Sequence, residues 1–174
     1  MDLEDKDLPL VVSISWGSNE QQYHKKYAKE TCNVFGQLGT RGVTILTASG
    51  NMGPGASCQS NDGKKKTKFM PGFPASCPYV TTVGGTQLSS NTSAGGKSGK
   101  SSAVDFSSGG FSEYFDRPQW QDKAVAEYLK KYGDKWEKYY NKKGRAYPDL
   151  AAHAGPDNIP VMNHGDEQFV GGTR

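Results

Sequence analysis

The residues of this 174-residue chain best placed to do chemistry follow a short uncharged run. Val43–Ala48 is rich in β-formers and reads as a strand buried in a parallel sheet. Gly50, Gly53, Pro54 and Gly55 cannot continue it. An α/β sheet gathers its working groups where strands end, and this end delivers Ser49, Gly50 and Asn51. A carboxamide held in a glycine-rich turn can donate to an oxyanion. The same residues also describe a plain polar turn in which Asn51 tolerates a left-handed backbone, and alone they favour that simpler reading.

Other side chains with chemistry in them are fewer. Cys58 and Cys77 lie in one Gly/Pro-rich region and are expected to pair across a loop of about twenty residues, worth roughly 3 kcal/mol. Cys32 falls within a helical pattern and reads as a buried thiol. Asn91-Thr92-Ser93 is a glycosylation sequon in a Ser/Gly-rich stretch. Lys64, Lys65, Lys66 and Lys68 cluster in a long loop, where solvation explains them better than an anion site. His24 sits in a helical pattern, and His153 and His164 in loop contexts; none reads as a catalytic base.

The elements that must position these groups follow from periodicity. Leu8–Ser15 is a strand entered through Pro9, ended by Trp16-Gly17-Ser18-Asn19. Ser18 or Asn19 can cap a helix with Glu20 in its first turn, running to about Leu38 with Gly39 as its stop. Tyr27, Thr31, Val34, Phe35 and Leu38 would form its apolar face. With Val43–Ala48 this makes a βαβ unit. Tyr79–Val83 reads as a third parallel strand, ending on Gly84-Gly85. Gln87–Ser102 reads as a surface loop and Phe106–Phe115 as an irregular covering loop. Pro118 opens a helix with an aromatic face at Trp120, Tyr128 and Tyr132. Residues 159–170 read as a hairpin turning at Asn163-His164-Gly165-Asp166.

Composition bounds the function. Net charge is +3, too small to argue for nucleic acid. No apolar run approaches the ~20 residues of a membrane span. The acidic start, Met-Asp-Leu-Glu-Asp-Lys-Asp, lacks the basic and apolar regions of a signal peptide. Length suits one domain, but 34% apolar residues and a mean hydropathy of −0.74 fit a thin core or part of something larger.

Several stretches in order resemble one family. They are Ser13-Ile14-Ser15-Trp16-Gly17, Ala48-Ser49-Gly50-Asn51, Phe73 through Val80, Val83-Gly84-Gly85-Thr86, Gly109-Gly110-Phe111-Ser112 and Gly144 through Asp149. Together they resemble the sedolisins, the serine-carboxyl peptidases, and most closely their tripeptidyl-peptidases, including the secreted fungal ones. The resemblance covers nearly the whole of residues 1–174 and implies an α/β, subtilisin-like fold with a parallel sheet flanked by helices, present in part. It also implies peptide hydrolysis at acid pH through an acyl-enzyme, extracellular location, peptide or protein substrates, and a calcium ion near the end of the domain.

In that family the nucleophile is the Ser of Gly-Thr-Ser, a Glu/Asp pair supplies the base, and a protonated Asp lines the oxyanion hole. Gly172-Thr173 matches the start of the nucleophile motif, with Arg174 at the serine position. The Glu/Asp pair would precede the first strand, and the calcium segment would follow residue 174. Asn51 occupies the oxyanion position in place of Asp, and Ser15-Trp16-Gly17 resembles the strand end along which a peptide lies. Without the family, Trp16 reads equally well as core packing. The expectation is a peptidase fragment without activity of its own, with no cofactor in this chain. The alternatives are a non-catalytic peptide binder of the same fold and, more weakly, an anion or polysaccharide module using the Lys64–Lys68 loop.

Overall fold

The computed structural model describes residues 3–88, 101–155 and 159–173. In chain order the strands and helices are β1 (Val11–Ile14), β2 (Ser18–Asn19), α1 (Lys25–Thr40), β3 (Thr44–Ala48), β4 (Gly72–Phe73), β5 (Thr81–Leu88), β6 (Ser101–Ala103), β7 (Gly110–Asp116), α2 (Asp122–Tyr132), β8 (Gly144–Tyr147), β9 (Leu150–His153), β10 (Pro160–Asn163) and β11 (Asp166–Phe169).

β1, β3 and β5 lie side by side and parallel, with Val11 opposite Thr44 and Leu46 opposite Thr81. β9 joins β5 in parallel along Val83–Thr86, and β6 pairs antiparallel with the far end of β5. The architecture is the α/β parallel sheet with flanking helices that the sequence implies, present in part. β5 runs on through Gly84-Gly85 instead of stopping there. Both glycines are buried, and a Cβ would come within 2.8 Å of Pro148 at Gly84 and of Val104 at Gly85. The pair therefore marks close backbone approach within a strand, not its end.

α1 begins six or seven residues later than Ser18 or Asn19. Those residues form β2, which pairs with β4, and His24 Nδ1 caps the helix by accepting the Lys26 N–H. The helix continues past Gly39 to Thr40. Its inward face is also rotated from the expected one. Ala28 and Cys32 are buried with Phe35 and Leu38 packed beside them, while Tyr27 and Val34 face water. This face covers Val43, Ile45, Val80 and Phe115, which form the core.

That rotation overturns the expected disulfide. The bond is Cys32–Cys77, with Cα atoms 5.7 Å apart, and Cys58 is the free cysteine. Cys32 lies on the buried face of α1 directly over the turn that ends at Cys77, which is itself fully buried. Cys58 is half-buried in its loop, turned by a positive φ, and its thiol donates to Gly55 O at 3.3 Å. Sharing one stretch of sequence with Cys77 did not make Cys58 its partner.

Two stretches expected to be irregular are ordered. Most of Phe106–Phe115 falls in β7, paired with β8, and Gln87 and Leu88 belong to β5. His153 lies in β9, not in a loop. Pro118 caps the turn that leads into α2. The β10–β11 hairpin forms as expected, with His164 and Gly165 at positive φ in the turn. Buried Arg145 donates to Asp149 Oδ2 at 2.6 Å and to Val80 O, and Asp149 accepts the Thr82 N–H at 2.7 Å. This ion pair locks the β8–β9 connection onto β5.

Candidate active site

The end of β3 is held by its neighbours more than by its own turn. Ser49 N–H donates to Val83 O, continuing the ladder with β5 by one residue. Gly50 then turns at φ +106°, a conformation that favours glycine. Its carbonyl accepts the Ser108 N–H at 2.9 Å, and the Ser108 hydroxyl accepts the Met52 N–H at 3.0 Å. Ser108, from the expected covering loop, thus clamps the turn from one side with two bonds. Ser107 supports it from below, accepting the Gly85 N–H at 3.0 Å.

Thr173, over 120 residues away in sequence, clamps the other side. Its hydroxyl accepts the Gly50 N–H at 2.9 Å and lies 3.0 Å from Gly50 O and 2.9 Å from Asn51 Oδ1. Having one proton, it donates to one of those two oxygens. The Thr173 backbone N–H donates to Asn51 Oδ1 at 2.9 Å. A backbone N–H needs an acceptor, so the carboxamide oxygen faces Thr173 and the two Nδ2–H donors face elsewhere. Asn51 is exposed and lines a cleft.

That cleft, about 250 Å³, has Ser49–Met52 on one side and Ser15–Asn19 with the paired Gly72 and Phe73 on the other, with Tyr147 between. Trp16 is 80% exposed, so it stands at the cleft mouth and is not core packing. The floor is pinned by Tyr147, whose phenol oxygen accepts the Gly72 N–H at 2.7 Å. Burial pushes the Tyr147 phenol up to about 12, so it stays neutral. None of the described residues lining the cleft carries a charge. The arrangement can therefore present neutral hydrogen-bond donors and an extended backbone edge to a ligand, with a strength that does not depend on protonation.

The structure brings together Ser15, Trp16, Gly17, Ser49, Gly50 and Asn51 around this one cleft. Cys58 and Cys77 lie away from it. Asn91 and Arg174 lie outside the described residues. Sequence reasoning did not find Tyr147 or Ser108, whose roles depend on contacts with Gly72 and Gly50 across the fold. Thr173 carried a faint signal as part of Gly-Gly-Thr. Among the described residues no three His, Cys, Asp or Glu side chains converge to hold a metal, so no residue here is assigned to the family's calcium ion. Lys64, Lys65 and Lys66 are exposed, and Lys68 pairs with Glu113 at 3.1 Å. A wider groove of about 770 Å³ lies between α2 and the β8–β9 connection, walled by Phe111, Trp120, Tyr128 and Trp136. It shares Tyr147 with the cleft, but Asn51 and Thr173 do not reach it.

The subtilase family matches residues 3–170. A probable tripeptidyl-peptidase SED2 of Arthroderma benhamiae is 47% identical over 98% of this chain, and tripeptidyl-peptidase SED2 of Arthroderma otae 48% identical over the same share. The chain spans only 27% of the length of each. Among solved structures, a Pseudomonas sedolisin, a serine-carboxyl proteinase complexed with two molecules of pseudo-iodotyrostatin, is similar with a TM-score of 0.66 and 25% identity. That likeness covers 96% of this chain and 44% of the sedolisin. With the cleft at the strand ends and these matches along nearly all its length, the chain belongs to the subtilase family of serine peptidases, in its sedolisin-like branch.

Proposed function

We propose that this fold serves a secreted serine-carboxyl peptidase of the tripeptidyl-peptidase kind, residues 1–174 forming part of one catalytic domain. A peptide would lie extended between Ser15-Trp16-Gly17 and Ser49-Gly50. Asn51 would donate Nδ2–H to the oxyanion of the tetrahedral intermediate. The observation that carries this reading is the Thr173 N–H bond to Asn51 Oδ1, which orients the carboxamide and leaves its donors free for a ligand. The residue after Thr173 is where the family places its nucleophile, so the same bond would tie the oxyanion donor to the nucleophile's backbone. The Cys32–Cys77 disulfide fits an oxidising, extracellular setting.

A polypeptide of residues 1–174 alone is expected to be silent toward peptides at every pH. Arg174 stands at the serine position of the Gly-Thr-Ser pattern, and its guanidinium stays protonated and cannot serve as the nucleophile. The same observations favour one second reading, a non-catalytic peptide binder that keeps the cleft. The test joins the chain to the remaining catalytic segments of an active sedolisin, supplying the Glu/Asp pair and Gly-Thr-Ser. Release of tripeptides by the joined protein, and none by residues 1–174, is the expected result. Compared with Asn51→Asp, the Asn51 form should keep more of its rate as pH rises from acid toward neutral, because a carboxamide donates at every pH. Identical profiles would remove Asn51 from the oxyanion site.

A further inference from the structure

Glu20 reads in sequence as an acid in the first turn of a helix. It is instead 1% exposed, in the short 3-10 turn Glu20–Gln22 that follows β2. Its backbone N–H donates to Pro71 O at 2.7 Å, extending the β2–β4 pairing by one bond. Its carboxylate turns inward. Oε1 accepts the hydroxyls of Ser76 at 2.6 Å and Ser112 at 2.5 Å, and Oε2 accepts the Glu113 N–H at 2.8 Å. One side chain thus ties β2, the turn after β4, and β7 together. β2, Gly72, Phe73 and Ala75 are the cleft wall opposite Asn51.

The set of partners is specific to a carboxylate. All three are donors, and Ser112 Oγ already accepts the N–H groups of Tyr114 and Phe115 at 3.0 and 2.9 Å. Its lone pairs are taken, so it can only donate to Glu20. A carboxamide would put N–H donors against either Glu113 N–H or the saturated Ser112 oxygen, whichever way it turned. No cation lies within ion-pair distance of Glu20 among the described residues. The groups facing it are the Glu113 carboxylate, itself paired with Lys68, and the Tyr114 and Tyr147 phenols. Lys25 and Lys68 border the small hollow outside it.

We propose that Glu20 is a positioning residue for the peptide cleft: its carboxylate holds the β2–β4 wall in register with the Asn51 side through three donors from two other segments. This rests on the cleft reading of the preceding section. The knot also responds to acid. Burial outweighs the three donors and raises the Glu20 carboxyl above its ordinary value. Once protonated, it must find an acceptor for its O–H. Ser76 can turn to supply one and Ser112 cannot, so the wall rearranges where Glu20 titrates.

The experiment uses residues 1–174 labelled for NMR, as the wild type and as Glu20→Gln and Ser76→Ala, the latter a milder change that removes one donor. Amide exchange is followed at Ser18, Asn19, Gly72, Phe73 and Glu113, with α2 as the reference. The expected result is exchange on the order of tenfold faster at the wall in both variants. Glu113 should lose protection in Glu20→Gln, and α2 should stay unchanged. In the wild type, the wall amides should shift with pH at the same midpoint as the Glu20 carboxyl carbon, and this step should vanish in Glu20→Gln. Loss of protection spread equally over α2 and β5 would make Glu20 a general core group and overturn the proposal. So would wall amides indifferent to both variants, or a carboxyl titration that the wall does not report. A hexapeptide, Ala-Ala-Phe-Ala-Ala-Ala, titrated into each protein separates the two readings. Binding that weakens several-fold in the variants supports both. No binding to the wild type refutes the cleft reading, while the exchange and pH data still decide for or against Glu20.

Discussion

The two walls of the cleft are held in opposite ways. Phe73–Cys77 is fastened from behind, by Ser76 to Glu20, by Cys77 to Cys32, and by Ala75 O accepting the buried Thr82 hydroxyl at 2.7 Å. Every one of those contacts is out of water, so each spent partner is a stabilising one. Ser49–Met52 is fastened at its edges, by Ser108 and Thr173, and its exposed member Asn51 keeps two donors unspent. A wall that only shapes a cleft can use all its polar groups on the fold. Under the proposed function the Asn51 wall would meet the reacting atom, which requires some polar groups left over and a rigid opposite face for accuracy.

The contrast can be broken first at the disulfide. Closing a loop with a sequence separation of 45 residues is worth about 4 kcal/mol in the chain-entropy relation. Reduction, or the Cys32→Ser, Cys77→Ser pair, should lower the unfolding free energy read from denaturant titration by that order. The Cys58→Ser variant should melt like the wild type, and mass spectrometry of the unreduced chain should link Cys32 to Cys77 and leave Cys58 alkylatable.

The open wall should answer in activity and not in stability. In the protein completed with sedolisin segments, Asn51→Ala is expected to cost on the order of 10²–10³ in turnover. Its unfolding free energy should change by no more than about 1 kcal/mol, because Asn51 is exposed and only the Thr173 bonds are lost. A variant that melted as early as the disulfide mutant would mean that the two walls are not different in kind.

A smaller effect, read against pH, sharpens the buried wall. The folded carboxyl of Glu20 lies above 4.5, its ordinary value. Between that value and the folded one, the native chain keeps a proton that the unfolded chain has released, so native stability falls as pH rises through this window. Glu20→Gln removes the titration. Relative to this variant, the wild type should be most favoured below pH 4.5 and lose ground above it, as urea midpoints measured across the acid range would show. An advantage that instead grew with pH would mean that the three donors outweigh burial. Smallest of all is Cys58→Ser, expected within about 0.5 kcal/mol, since a hydroxyl can repeat the thiol's bond to Gly55 O.

Much of this molecule was legible before its structure. Uncharged β-rich runs at Leu10–Ser15, Val43–Ala48 and Tyr79–Val83 specified three neighbouring parallel strands, although β1 buries none of its residues fully and β3 buries only Ile45 and Thr47. The Asn-His-Gly turn specified the last hairpin, because only certain residues accept positive φ. Ser49, Gly50 and Asn51 were legible as strand-end residues, and the serial motifs pointed to the sedolisin resemblance. What tertiary structure alone decided were the long-range pairings. Rotation of α1 about its axis chose Cys32 over Cys58 as the partner of Cys77, and turned Tyr27 to water. Bonds from Thr173 to Asn51, from Tyr147 to Gly72 and from Ser112 to Glu20 span 75 to 122 residues or close to it. Periodicity reports which side of an element is apolar, over one or two turns or strands. It carries no term for which polar atom will meet which other once those sides are packed, and that meeting is what made Asn51 an oriented donor and Glu20 a buried tie.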